Sequence, residues 1–284
     1  MSSTRLALLT LIAMIAFAGN SLLCRLALTA SDIDPTSFTT IRLLSGAITL
    51  ALLVLLQNRE LALGGSWLSA LSLLVYAAGF SFAYVSLSTA TGALLLFGSV
   101  QATMIAYGLW SGERPNPRQL SGIALALLGL LALFVPGLEA PPLAGGLMMA
   151  IAGIAWGVYS LRGRRLGDAT QATAGNFVRA AMLALVISLV MSPSVSVDMR
   201  GVFYAVASGA LASGVGYAIW YSVLPSLRAT SAATIQLSVP AIAAIAGVIF
   251  LGEPIGFRLA VSSAAILGGV GIYIYSQDTA PSRI

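Results

Sequence analysis

Residues 36–56 read TSFTTIRLLSGAITLALLVLL, a run of 21 positions whose one charged side chain is Arg42. A helix rises about 1.5 Å per residue, so such a run spans about 30 Å, the thickness of a bilayer's hydrocarbon core. A helix apolar on every face has no side to offer water and belongs in lipid or in a fully buried core. Outward from this stretch the chain supplies nine more runs of similar kind, at 6–28, 66–87, 90–110, 119–136, 143–161, 172–191, 201–221, 229–250 and 258–276. Of the 284 residues 58% are hydrophobic and only 8% charged, with a mean hydropathy of +0.96. That balance could not clothe a water-soluble core of this size. The spans predict an all-α integral membrane protein of ten transmembrane helices.

The first run lacks a small-residue cleavage site and carries Asn20, Cys24 and Arg25 in its later part, so it reads as a retained helix. All 14 basic residues are Arg. Numbering the loops alternately, one set holds Arg5, Arg59, Arg114, Arg118, Arg162, Arg164, Arg165, Arg228 and Arg283. The other holds Arg200 and Arg258, with Arg25 at its border. Positive loops stay in the cytoplasm, which predicts a multi-pass protein of a bacterial-type inner membrane with both termini cytoplasmic. The arginines are scattered between apolar runs rather than gathered on a polar face, so nucleic acid is not an expected partner. Cys24 is the one cysteine and excludes an internal disulfide; the absence of His removes the commonest metal ligand. No metal or cofactor is expected.

The chain resembles itself at an offset near 140. Trp110-Ser-Gly-Glu113-Arg-Pro115 closes the fourth run and Phe250-Leu-Gly-Glu253-Pro254 the ninth, while Arg42 and Tyr84 match Arg179 and Tyr221 at an offset of 137. Five helices per repeat turn the second copy upside down. The reading is therefore two inverted-topology five-helix repeats, 1–138 and 139–284, an architecture suited to alternating access, with a functional monomer sufficient.

The residues that carry a family resemblance are Gly19-Asn20 and Trp156-Gly157, Asp34-Pro35 leading to Arg42, Gly112-Glu113, Gly252-Glu253, and Pro240. In order, spacing and duplication they resemble the drug/metabolite transporter superfamily, in its ten-helix EamA-type branch, across essentially the whole chain. Val100-Gln101 departs from the pattern, which often has Pro in the fourth helix. Within the branch the chain looks most like the YddG-type aromatic amino-acid exporters. The resemblance implies export of small amphipathic metabolites.

Polar groups at membrane depth are costly and mark candidate sites, with helix-packing hydrogen bonds as the alternative. Gln101 and Gln236 can donate and accept at once, which suits a zwitterionic ligand, and Asn20 follows a glycine that could bend its helix. Tyr76 and Phe80 are spaced by four on one stripe, and Trp156 and Tyr217 lie at similar depth. These seven are the candidate substrate contacts, around an apolar, aromatic-lined cavity for aromatic or other hydrophobic amino acids; lipid-interface anchoring is the alternative for Tyr84 and Tyr221.

Arg42 shares its membrane side with Glu253, and Arg179 shares its side with Glu113. Two ion pairs that make and break as gates are expected from this, with a static salt bridge or a contact to a substrate carboxylate also open. Pro240 is a candidate hinge in the ninth helix. The nine acids all lie in loops or at helix ends, which leans toward facilitated export; a proton-coupled multidrug, nucleoside or metabolite exporter is the alternative. Without His or buried acids no enzyme site can be assembled, and a non-transporting scaffold is the remaining rival.

Overall fold

The computed structural model describes residues 2–58, 60, 63–112, 114–135, 140–163, 168–190, 196–227, 232 and 235–278. Helices α1 (Ser3–Ala30), α2 (Pro35–Asn58), α3 (Trp67–Tyr84), α4 (Thr89–Trp110) and α5 (Pro117–Phe134) make the first half. Helices α6 (Leu143–Gly163), α7 (Ala169–Val190), α8 (Met199–Ser226), α9 (Ser238–Leu251) and α10 (Phe257–Asp278) make the second. Among the described residues nine of these are long and apolar enough to cross a membrane, and α9 is a shorter apolar helix. The outward faces carry exposed Leu8, Leu11, Leu52, Leu56, Leu128, Leu131 and Leu189. Such a belt has no place in water and is the lipid-facing surface of a multi-pass membrane protein. Trp67, Trp110 and Tyr275 stand exposed near helix ends, at headgroup depth.

The two halves interlock. Helix α2 packs on α7, α4 on α9 and α5 on α10. The remaining large contacts respect the same exchange of halves: α3 lies on α6 as α8 lies on α1, and α4 lies on α6 as α9 lies on α1. Small residues set the closest approaches. At α5–α10 a Cβ added to Gly122 would meet the Gly269 carbonyl, and one added to Gly129 would meet Ala265. Gly268 and Gly271 take no part in this close approach, since a Cβ on either meets open space.

The sequence-derived spans agree with the helices except in two places. Helix α9 was expected from residue 229, with Pro240 as a mid-helix hinge. Ala232, Ile235 and Gln236 are helical, Leu237 is a turn and α9 starts at Ser238, so the expected run is broken just before Pro240, which lies in the first turn of α9. The physical reason is that Pro240 has no N–H to give the Gln236 carbonyl, and the first turn is where that loss is tolerated. Helix α8 is interrupted by a π-helical stretch, Ala207–Val215, packed on α2 and α1. Gly209 sits there against the Arg42 carbonyl and the Ser45 hydroxyl. Gly209→Ala is expected to destabilise the protein by about 1–3 kcal/mol through overpacking, read as a lower Tm in detergent.

Loops are pinned by caps. Asp34 accepts hydrogen bonds from the backbone N–H of Thr36 (2.9 Å), Ser37 (3.0 Å) and Ser196 (2.9 Å), tying the start of α2 to the approach to α8. Burial alone would push its carboxyl up, but these donors outweigh it and hold the group below the usual carboxylate range.

Candidate functional site

A cavity of about 780 Å³ runs into the bundle from the α6–α7 junction, where Gly163, Asp168, Ala169 and Thr170 line its mouth together with Leu224, Pro225 and Leu227 at the end of α8. It ends deep inside at Phe17, Asn20, Tyr76, Phe80 and Leu96. The seven residues singled out as substrate contacts, Asn20, Tyr76, Phe80, Gln101, Trp156, Tyr217 and Gln236, all line it. They come from α1, α3, α4, α6, α8 and the segment before α9, so the cavity is built by both halves.

Trp156 is the hub of the aromatic wall. Its ring lies 4.8 Å from Tyr76, 5.2 Å from Tyr217 and 5.2 Å from Tyr159, the last in a stacked arrangement. Phe17 adds edge contacts to Tyr217 at 5.6 Å and Trp220 at 6.0 Å. These tilted and edge-on geometries are favourable for aromatic pairs and leave ring faces for a planar ligand. Phe17, Phe97 and Met104 also line the cavity and are not among the residues singled out from the sequence. Nothing in their apolar surroundings distinguishes them from core residues.

The polar groups concentrate at the deep end. Asn20 donates from Nδ2 to the Tyr76 hydroxyl (3.2 Å) and accepts from Ser208 (2.5 Å), which belongs to the π-helical stretch. Arg42, 1% exposed, donates from Nη2 to the same Tyr76 hydroxyl at 3.0 Å, and its guanidinium lies 4.8 Å from the Phe80 centroid and 5.1 Å from that of Tyr76. It stands behind the wall rather than in it.

The end opposite the mouth is shut by a different set. Gly252, at φ +63°, terminates α9 in the left-handed conformation; its N–H bonds to Val248 and that of Glu253 reaches back to Gly247 (3.2 Å). Only glycine takes this C-cap cheaply, and the cap turns the next side chain back along the helix. Glu253 therefore meets Arg25 at 3.3 Å and accepts the Thr89 N–H at 2.8 Å. Arg25 in turn donates to the carbonyls of Tyr84 (2.7 Å) and Val85 (3.0 Å). One arginine thus ties α1 to the α3–α4 turn and to α9.

This corrects the expected Arg42–Glu253 pair. Arg42 faces Tyr76 and Phe80, while Arg25 is near enough to its helix end to reach the Gly252 turn. Arg179 is half-buried, donates to the Gly64 carbonyl at 2.7 Å and lies over Trp67 at 5.8 Å. Its expected partner Glu113 lies outside the described residues, as do the loop arginines Arg59, Arg164, Arg165, Arg228 and Arg283. The matching Gly112 has φ +93°, the conformation its counterpart Gly252 also adopts. At the mouth Arg162 donates to Ser69 (3.1 Å) and Ser66 (3.3 Å).

A lipid-embedded helical bundle around an amphipathic cavity, open at one end and latched at the other, is the architecture of a membrane carrier for small solutes. The chain belongs to the EamA-like transporter family, whose profile matches residues 4–135 and again 143–275. It is 51% identical over 275 residues to an uncharacterized protein of Pseudomonas aeruginosa, covering 96% of both chains. It is 29% identical over 174 residues to the threonine/homoserine exporter RhtA of Salmonella typhimurium, covering 59% of this chain and 58% of that one. A solved structure of 20% identity superposes with a TM-score of 0.69 over 98% of this chain and 100% of that chain, so the fold is shared.

Proposed function

We propose that this transporter exports aromatic and other hydrophobic amino acids by alternating access around the central cavity, as a facilitator in a bacterial-type inner membrane. The observation that carries the reading is the cavity itself: about 780 Å³, walled by Trp156, Tyr76, Tyr217 and Phe80, with Gln101 and Gln236 as fixed amides. Its size is that of small-molecule sites, and stacking on aromatic faces favours a ligand with an apolar, planar side chain. The relation to RhtA, named for threonine and homoserine, supports an amino-acid substrate and makes threonine the competitor to test.

The arginine-rich loops support a cytoplasmic mouth, which makes the described state the one that loads substrate from within. With five helices in each half, the second half is inverted, and the exchange symmetry of the helix contacts supports this. The symmetry also supplies the other state. Arg162 lies 137 residues after Arg25, and Glu113 lies 140 before Glu253. As the Arg25–Glu253 latch opens, Arg162 would leave Ser66 and Ser69 for Glu113 and close the mouth. Coupling to protons needs a titratable group on the route. Among the described residues the acid lining the cavity is Asp168, and it is engaged as a helix cap to the Gln171 N–H at 2.9 Å.

Expression of the protein in bacteria exposed to a toxic phenylalanine analogue tests the export reading. Tolerance should rise and intracellular analogue fall; unchanged accumulation contradicts it. Gln101→Ala should raise the KM for aromatic amino acids by about tenfold, the cost of one lost hydrogen bond to a charged ligand group, as measured by concentration-dependent flux.

A further inference from the structure

The buried arginine behind the aromatic wall is not explained by packing or by the latch. Arg42 is 1% exposed, at membrane depth, and pairs with no carboxylate among the described residues. Its Nε and Nη1 have no hydrogen-bond partner there. The faces of Phe80 and Tyr76 offset part of the cost of holding a cation in this setting, but they satisfy neither nitrogen. A guanidinium stays protonated under all physiological conditions, so the charge is permanent.

The link from this charge to the cavity is the Tyr76 hydroxyl. A phenol oxygen has two lone pairs, and here both are taken, one by Arg42 Nη2 and one by Asn20 Nδ2. Its own proton is left to point away from both donors, on a side chain that lines the cavity. A hydroxyl polarised by a cation behind it is a strong donor. The deep end therefore offers positive potential and outward-pointing donors, whereas the acid of the lining, Asp168, stands at the mouth. An ammonium group would be repelled from this end and an anion drawn to it.

We propose that the deep end is a carboxylate subsite, in which Tyr76 backed by Arg42 takes the acid group of the ligand while its apolar part lies against Trp156 and Phe17. This rests on the amino-acid reading of the cavity and sharpens it. The ligand class is a hydrophobic amino or carboxylic acid, and a hydrophobic amine without an acid group is excluded. Tyr76 and Arg42 act here as binding and positioning residues respectively, the latter through the former.

The test is ligand-dependent thermal stabilisation of the full-length protein in detergent at neutral pH. The matched probes are 3-phenylpropanoate, which lacks the ammonium, and phenethylamine, which lacks the carboxylate. The acid should raise Tm and the amine should not at the same concentration. In Tyr76→Phe, which keeps the ring and the packing, the half-saturating concentration of the acid should rise about tenfold, and in Arg42→Gln at least as much. Arg42→Lys should restore part of the preference, because it restores the charge without the guanidinium geometry. Equal shifts from acid and amine, no shift from either, or an unaltered acid response in Tyr76→Phe overturns the subsite. An acid-selective shift with no amino-acid flux in vesicles sinks the transport reading and leaves the subsite standing. Flux without acid selectivity does the reverse.

Discussion

Glu253→Gln is expected to speed alkylation of Cys24 by about tenfold in intact membranes, the result of weakening the latch by one to two kcal/mol. Cys24 is the chain's one cysteine, fully buried, and adjoins the latch residue Arg25. It can react only when that end of the bundle opens, so its rate reports the open population. The substitution preserves shape and the bond from the Thr89 N–H but removes the charge facing Arg25. Side-chain exposures of 20% for Arg25 and 14% for Glu253 put the pair between a surface and a buried salt bridge, so the expected loss is moderate. Arg25 keeps its two carbonyl acceptors and the protein should still fold. An alkylation rate equal to that of the wild type would show that the ion pair does not hold this end closed.

Trp156→Ala should raise the KM for aromatic amino acids by about thirtyfold, or about 2 kcal/mol, with a smaller rise for leucine. The indole joins three tyrosine rings and fronts the cavity, so its removal takes away both the stacking face and the support that fixes Tyr76 and Tyr217. Trp156→Phe should recover most of the loss, because a ring at the same depth restores the wall. Flux measured at several concentrations separates this from a folding defect, which would lower the maximal rate without changing KM. An equal effect on leucine and phenylalanine would mean that the wall contributes bulk apolar contact and no aromatic preference.

The helical architecture was legible because lipid imposes so simple a rule: each crossing needs about 20 apolar residues, and the chain contains little else. What escaped that rule was local. The break at Leu237, between helical Gln236 and the start of α9, falls where Pro240 leaves the Gln236 carbonyl without a donor, and the π-helical stretch Ala207–Val215 is a run of small residues with no side-chain pattern. Its backbone is decided by contact with α1 and α2. The cavity-lining residues stood out as amides and aromatics at mid-span, while Phe17 could not be told from core residues. The ion pair was misread for an identifiable reason. Arg42 and Arg25 share a membrane side with Glu253, but Arg42 lies about half a turn deeper in its helix and is engaged by Tyr76, which leaves Arg25 to meet Glu253. The repeated Gly-Glu motif marks a residue that forms an ion pair, since glycine's left-handed cap at Gly252 turns Glu253 toward Arg25.

The central claim is a selective carrier that turns over without an ion gradient, and counterflow tests it most directly. Proteoliposomes preloaded with unlabelled phenylalanine, tryptophan, threonine or no amino acid, at equal pH and without a membrane potential, are diluted into labelled phenylalanine. Accumulation of label over the aromatic preloads, and little over threonine or none, is the predicted result. Accumulation that appears only after a pH gradient is imposed, or label that fails to exchange with any preload, would contradict it.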